Sequence, residues 1–311
     1  MNGLLVITGP TAVGKSELGV IMAQRLGGEI VSADSMQIYR GMRIGTAAPT
    51  PEEMRGIPHH LIGTVDPSEA YSAARYVEEA SACVDDIMAR GKLPIIVGGT
   101  GLYIDSLLSG RSFPGGDPEL RSRFSAQYDE LGGEKMLSML AEADPESAAR
   151  LAANDKKRIV RALEVYYSTG RTVTQHNRET ALLPPRYHYC RIALDYADRS
   201  MLYARIDARV DEMLRQGLAD EVRELLERGL SENSTAMQAI GYKELIPALR
   251  GECSDAEAAE LIKRESRRYA KRQLSWLRSR SDVEWIIWEK NRDYAKAALI
   301  STQFLEEKGI L

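Results

Sequence analysis

One segment near the start of the chain, Gly9-Pro10-Thr11-Ala12-Val13-Gly14-Lys15-Ser16, restricts the fold more than any other. It fits the phosphate-loop pattern of two glycines followed by lysine and a hydroxyl residue. Its flanks fit as well. Leu4-Leu5-Val6-Ile7 ahead of it is a short apolar run suited to a strand buried on both faces. Glu17 to Leu26 behind it carries Leu18, Ile21, Met22 and Leu26 at helical spacing and stops at Gly27-Gly28. A strand, a glycine turn and a helix in that order predict a P-loop. The turn lets backbone N–H groups curl around phosphate oxygens, and the helix adds its positive end. Lys15 supplies a point charge, and the Ser16 hydroxyl is the candidate ligand for Mg²⁺. Such a loop says that phosphates are held, not that they belong to ATP.

The rest of the first third alternates strand and helix. Glu29 to Ala33 predicts a strand ending at Asp34, and Leu93 to Val97 another ending in Gly98-Gly99-Thr100-Gly101. Between them a helix runs from a cap at Ser72 to Arg90, with Val77, Ala80, Val84 and Ile87 on one stripe. This alternation predicts an α/β fold, a P-loop NTPase-like parallel sheet flanked by helices. From Phe113 to about Pro185 the sequence predicts helices only, with Asp117-Pro118 and Asp144-Pro145 as starts, Asn154 as a further cap and Gly170 as a stop. That block reads as an all-helical inserted subdomain, residues 113–185, within a core of residues 1–112 and 186–311. Arg186 to Tyr196 and Val283 to Ile287 predict returns to the sheet, with helices near 200–228, 236–249, 255–280 and at the end.

Composition narrows the class. No apolar run approaches the roughly 20 residues needed to span a bilayer, and no basic leader precedes the first strand, so a cytoplasmic enzyme without membrane contact is expected. Cys83, Cys190 and Cys253 form no ligand pair, which argues against zinc. The net charge of −4 excludes a protein coated in positive charge. Local charge is different: Lys263 to Arg280 holds eight Lys/Arg against the single acid Glu265, and Lys156, Lys157, Arg158 and Arg161 form a second basic cluster. Concentrated basic stripes on an acidic chain suggest a local polyanion footprint.

Ordinary P-loop NTPases end a later strand with an acid that helps hold Mg²⁺. Here that strand ends in glycines, and the acid, Asp34, ends the second strand instead. Strand C-termini line the crevice of an open α/β sheet, so Asp34 should face the phosphates and is placed to take a proton from a nucleophile.

The chain resembles the tRNA dimethylallyltransferases, bacterial type, along nearly its whole length. The resemblance runs through GPTAVGKS at 9–16, DSMQIYRGMRIGTAAP at 34–49, PHHL at 58–61, DPSEAYSAARY at 66–76 and VGGTGLYI at 97–104. It continues in NDKKRIVRALEVY at 154–166, AIGYKEL at 239–245 and KRQLSWLR at 271–278. It implies transfer of a dimethylallyl group from dimethylallyl diphosphate to the exocyclic amine of the adenine next to the anticodon, on its 3′ side. Gly9, Pro10, Thr11, Ala12, Val13, Gly14, Lys15 and Ser16 would then grip the diphosphate, with Mg²⁺ on Ser16. Asp34 corresponds to the family's general base, Thr100 to a threonine near the reacting centre, and Arg205 to an arginine on the diphosphate, with Arg209 the alternative.

An adenine inside a loop stack must be turned out to meet a buried reagent. By the same resemblance, Asp34, Ser35, Met36 and Gln37, with Thr100, would read the flipped base. Lys157, Arg158, Ile159, Val160 and Arg161 would contact the tRNA anticodon stem-loop from the insert, as would Arg121. Arg264, Arg268 and Arg272, spaced by four on a predicted helix, form a candidate phosphate track. His59-His60 is expected to be packed or backbone-bonded rather than catalytic. A monomer is expected because no spare apolar stripe is evident. The chief rival is a P-loop small-molecule kinase using Asp34 as base, but no arginine-bearing lid is identifiable; a second is a tRNA-binding module with a vestigial loop, against which Lys15 and Asp34 stand.

Overall fold

The structure, a computed structural model, describes residues 3–111 and 113–311; the expected boundary residue Ser112 lies outside them. Six strands form one sheet: β1 (Leu4–Thr8), β2 (Glu29–Ser32), β3 (His59–His60), β4 (Pro94–Val97), β5 (Tyr189–Tyr196) and β6 (Glu284–Trp288). Their spatial order is β3-β2-β4-β1-β5-β6. Every pairing is parallel, with β1 central between β4 (Leu5 opposite Ile95) and β5 (Leu5 opposite Cys190). All five residues of β1 are buried, as a central strand covered on both faces requires. Leu5, Ile7, Ile30, Ile95, Val97, Ile192 and Leu194 share one core with Leu18 and Met22 of the first helix and Ala297 and Leu305 of the last.

The chain divides into two compact units, residues 1–108 with 187–311 and residues 109–186. The second holds five helices, Pro118–Leu131, Gly133–Ala143, Pro145–Arg150, Lys156–Thr169 and Val173–Leu182, and no strand among its described residues. Its own core gathers Phe124, Met136, Leu140, Ile159 and Leu163. Asp117 and Asp144 cap their helices from in front of a proline, as expected. Asn154 does not cap the fourth; the next residue does, Asp155 accepting from Arg158 N at 3.3 Å.

One strand was not foreseen and two local readings are corrected. The two-residue β3 is too short to carry a periodic signal. The helix expected over 200–228 is two, Arg199–Arg215 and Leu218–Glu227, parted by Gly217 at φ 95°. The stretch 236–249 holds only a 3₁₀ turn, Ala236–Gln238, and a short helix, Ile246–Leu249. Among the described residues, no helix is long and apolar enough to cross a membrane.

Candidate active site

Parallel strands put every C-terminal end on one edge of the sheet, and the turns leaving β1, β2, β4 and β6 meet there. They border a cavity of about 830 Å³ whose lining includes Thr11 to Ser16, Asp34, Gln37, Gly98, Arg205, Arg209, Tyr269, Gln273, Arg292 and Tyr294.

Gly9 (φ 138°), Ala12 (φ 62°) and Gly14 (φ 98°) bend the chain between β1 and the helix Lys15–Leu26. Glycine suits the backbone angle at Gly14, and a side chain there would also have to push aside the Tyr294 hydroxyl. The helix starts without a side-chain cap, which leaves its first N–H groups to a ligand. The loop is held from several sides. Gln273 accepts from Thr11 N at 2.9 Å and donates to Gly99 O at 2.9 Å. Trp288 donates to Val13 O at 2.9 Å, and Arg292 donates to Ala12 O. Lys15 Nζ folds back onto Pro10 O (2.7 Å) and Gly9 O (3.1 Å). Burial, then the nearby Arg209 and Arg292 charges, lower the Lys15 ammonium to about 7, with Asp34 working the other way.

Ser16 is exposed and lines the cavity, with no hydrogen-bond partner among the described residues. No group of three or more His, Cys, Asp or Glu that would hold a metal by itself occurs among the described residues. One hydroxyl beside a phosphate cradle suits Mg²⁺ held mainly by substrate oxygens.

Across the cavity, Asp34 Oδ1 accepts from Met36 N (2.9 Å) and Gln37 N (3.3 Å), while Oδ2 has no partner among the described residues. Thr100 is tied to the same turn, its N–H donating to Ala33 O at 3.1 Å and its hydroxyl accepting from Ser35 N at 3.1 Å. Asp34 and Gln37 line the cavity, whereas Ser35 and Met36 of the same turn, and Thr100 of the turn after β4, are not among its lining residues. Gln37 is already engaged: Oε1 accepts from Ser32 Oγ (3.1 Å), and Nε2 donates to Thr46 O and Ala47 O (both 3.2 Å).

The arginine reading sharpens here. Arg205 and Arg209 sit one turn apart on Arg199–Arg215, and both line the cavity. Arg205 is exposed, whereas Arg209 is the partner whose charge is felt by Lys15 and Asp34, and burial lowers its affinity for a proton. Of the two candidates, Arg209 is the more buried, and both remain at the cavity.

The expected RNA contacts divide sharply. Ile159 and Val160 are only 0% and 5% exposed and pack in the core of the helical unit. Arg121 and Arg161 both bind the fully buried Glu164, with N–O distances of 2.9 Å, and Arg161 also donates to Pro114 O at 2.8 Å. Lys157 and Arg158 are exposed. Arg264, Arg268 and Arg272 are exposed along one face of Asp255–Arg278, while Lys263 and Arg267 on another face pair with Asp211 and Asp207. His59 is bonded to Ile57 O (2.8 Å) and His60 to Glu29 (2.9 Å).

Sequence reasoning passed over Arg292, Tyr269 and Gln273. Arg292 follows β6, and the rule that strand C-termini line the crevice would have found it. Gln273 and Tyr269, four apart, occupy the face of Asp255–Arg278 next to the exposed arginines, with the Arg272 guanidinium 5.5 Å from the Tyr269 ring, and the basic run drew attention away from them.

The fold and this cavity define a P-loop enzyme in which the phosphate loop and the carboxylate that ends β2 line one cavity. The chain belongs to the IPP transferase family, whose profile matches residues 37–280, beyond the phosphate loop itself. It is 47% identical over 288 residues to a tRNA dimethylallyltransferase of Acetivibrio thermocellus, covering 92% of each chain. It is 46% identical over 311 residues to one of Oceanobacillus iheyensis, covering 98% of each. Among solved structures it is similar to the full-length tRNA isopentenylpyrophosphate transferase of Bacillus halodurans, at 39% identity and TM-score 0.74, covering 99% of this chain and 98% of that one. It is also similar to a eukaryotic dimethylallyltransferase acting on tRNA, at 30% identity and TM-score 0.84, covering 99% of this chain and 80% of that one.

Proposed function

We propose that this chain transfers a dimethylallyl group from dimethylallyl diphosphate to the exocyclic amine of the adenine 3′-adjacent to the anticodon in tRNA. The observation that carries this is the single cavity in which the phosphate loop and the bare Oδ2 of Asp34 face each other. The amine nitrogen attacks the first carbon of the allyl group, the carbon–oxygen bond breaks, and pyrophosphate leaves. The proton released from nitrogen passes to Asp34, whose second oxygen is already fixed by two amides. Lys15, Arg209 and Arg292 stabilise the charge gathering on the leaving oxygens. Mg²⁺, held by Ser16 and substrate, would add further positive charge there.

Thr100 sets the Asp34 turn, and Gln37 exchanges its bonds to Thr46 and Ala47 for the edge of the flipped adenine. Lys157 and Arg158 on the helical unit, and Arg264, Arg268 and Arg272 on the core, take RNA phosphates. One copy carries every residue used, so the monomer is the working unit. The test is incubation with Mg²⁺, unmodified tRNA and dimethylallyl diphosphate, followed by mass spectrometry of the RNA. Gain of one prenyl mass at that adenine supports the reading. Phosphate transfer from ATP to a small acceptor, with no prenyl gain, overturns it in favour of a kinase.

A further inference from the structure

The loop over residues 41–48 walls the cavity, with Arg43, Ile44, Thr46, Ala47 and Ala48 all facing it. Three of its successive amides converge on one side chain. Arg43 N and Ile44 N donate to Glu221 Oε2 at 2.9 Å each, and Gly45 N donates to Oε1 at 3.2 Å. The hydroxyl of the fully buried Tyr242 adds a fourth bond, to Oε1 at 2.5 Å. A side chain at Gly45 would strike the Tyr242 ring, so the loop is fitted closely against this pair. Consecutive amides aimed at one point form an anion nest, and here the protein supplies its own anion. The backbone beyond is bent, with Ala47 at φ 45°, a conformation that an alanine keeps only when its surroundings hold it.

What the loop carries makes the latch matter. Its Thr46 and Ala47 carbonyls accept from Gln37 Nε2 at 3.2 Å, and Thr46 O also accepts from Arg209 Nη2 at 3.4 Å. Gln37 N in turn donates to Asp34 Oδ1 at 3.3 Å. A continuous run of hydrogen bonds therefore leads from Glu221 to the arginine near the phosphate loop and to the turn of the base. Resting on the prenyl-transfer reading above, we propose that Glu221 is a positioning residue for that reaction: it sets the 41–48 loop and, through the Thr46 carbonyl, the aim of Arg209. Without its carboxylate, three amides at the cavity wall lose their acceptor and the loop loses its register. Arg209 then loses the carbonyl that orients its guanidinium.

Glu221→Gln keeps the shape but turns one acceptor into a donor facing donors. The KM for dimethylallyl diphosphate should rise about tenfold, within the roughly hundredfold that an ångström of misplacement costs. The tRNA dissociation constant should stay within about twofold, because the change is felt at the diphosphate. Tyr242→Phe removes one donor of four and should shift KM the same way by less, which keeps the question decidable if the first variant folds poorly. The deciding measurement is a double-mutant cycle with Arg209→Lys. If Glu221 acts through Arg209, the Glu221→Gln penalty should shrink by more than half in the Arg209→Lys background. Strictly additive penalties, or an unchanged KM in a folded Glu221→Gln protein, overturn the proposal. The same cycle is read in parallel as affinity for inorganic pyrophosphate, which needs no prenyl transfer. A wild-type protein without transferase activity thus sinks the functional reading, while this one is still settled by the pyrophosphate arm.

Discussion

The cavity of the core and the interior of the helical unit treat charge in opposite ways. In the helical unit, buried Glu164 is met by Arg121, Arg161 and the amide of Asp117. Burial pushes its carboxyl upward, yet those partners together outweigh burial and hold it below its ordinary range. Asp144, equally buried, is saturated in the same manner by Ser147 and Thr174. In the cavity, Lys15 and Arg209 are both pushed toward losing protons by burial and by neighbouring cations. Glu212 and Glu221 line it with both oxygens bonded, Glu17 pairs with Arg55 and Glu53 bonds Thr50 N, while Asp34, at the end of β2, is bonded through Oδ1 and keeps Oδ2 open. Satisfied charge holds a structure together; crowded cations and an open carboxylate await an anionic substrate and a proton.

The sharpest way to break this contrast is to remove the open carboxylate. Asp34→Ala should lower single-turnover prenyl transfer by about a hundredfold or more, with tRNA affinity nearly intact. Wild-type turnover in that variant would remove Asp34 as base. Next comes the satisfied carboxylate. Glu164→Ala should destabilise the protein by roughly 2–3 kcal/mol, below the 3–5 usual for an orphaned buried ion because Arg121 and Arg161 can turn to water. The denaturant midpoint should fall while pyrophosphate affinity stays the same; a lost affinity at unchanged stability would reverse the assignment.

A pH series sharpens the cavity side. With Lys15 lowered to about 7, the empty site loses its ammonium as pH rises through neutrality. A bound diphosphate favours the charged form, so binding above pH 7 must take up a proton. Affinity for a prenyl diphosphate, itself fully ionised there, should weaken by up to about tenfold per pH unit. Lys15→Arg should flatten the dependence, and an equally steep profile in that variant would assign the titration to another group.

Much of this was legible before any coordinates. The phosphate loop, the strands at Leu4, Glu29 and Leu93 and the caps Ser72, Asp117 and Asp144 are local, each specified within a few residues of chain. Contacts that close the site across the chain were not legible. Thr11 meets Gln273 and Ala12 meets Arg292 across more than 260 residues, and Glu221 meets Arg43 across 178. Such pairs leave no periodicity to read. Arg205 and Arg209 share a helical face, so spacing alone does not rank them; their different burial is a tertiary property that the sequence does not carry. The pairing of Arg121 with the buried Glu164 spans 43 residues and was hidden in the same way.

The smallest expected effect tests whether an exposed arginine differs from a committed one. Among the described residues, Arg268 pairs only with Glu265, three residues away at 2.7 Å, and its side chain is 61% exposed. An exposed pair of that kind contributes at most about 1 kcal/mol, so the charge stays available to a phosphate. Arg268→Ala should therefore leave the denaturant midpoint where it is, weaken tRNA binding a few-fold, and reduce the slope of log affinity against log salt by about one unit. Arg161→Ala should do the reverse, moving the midpoint through Glu164 with a smaller change in slope. If the two variants gave the same slope and the same midpoint, the basic helices would not differ in function, and the line drawn between satisfied and open charge would fail where it is easiest to measure.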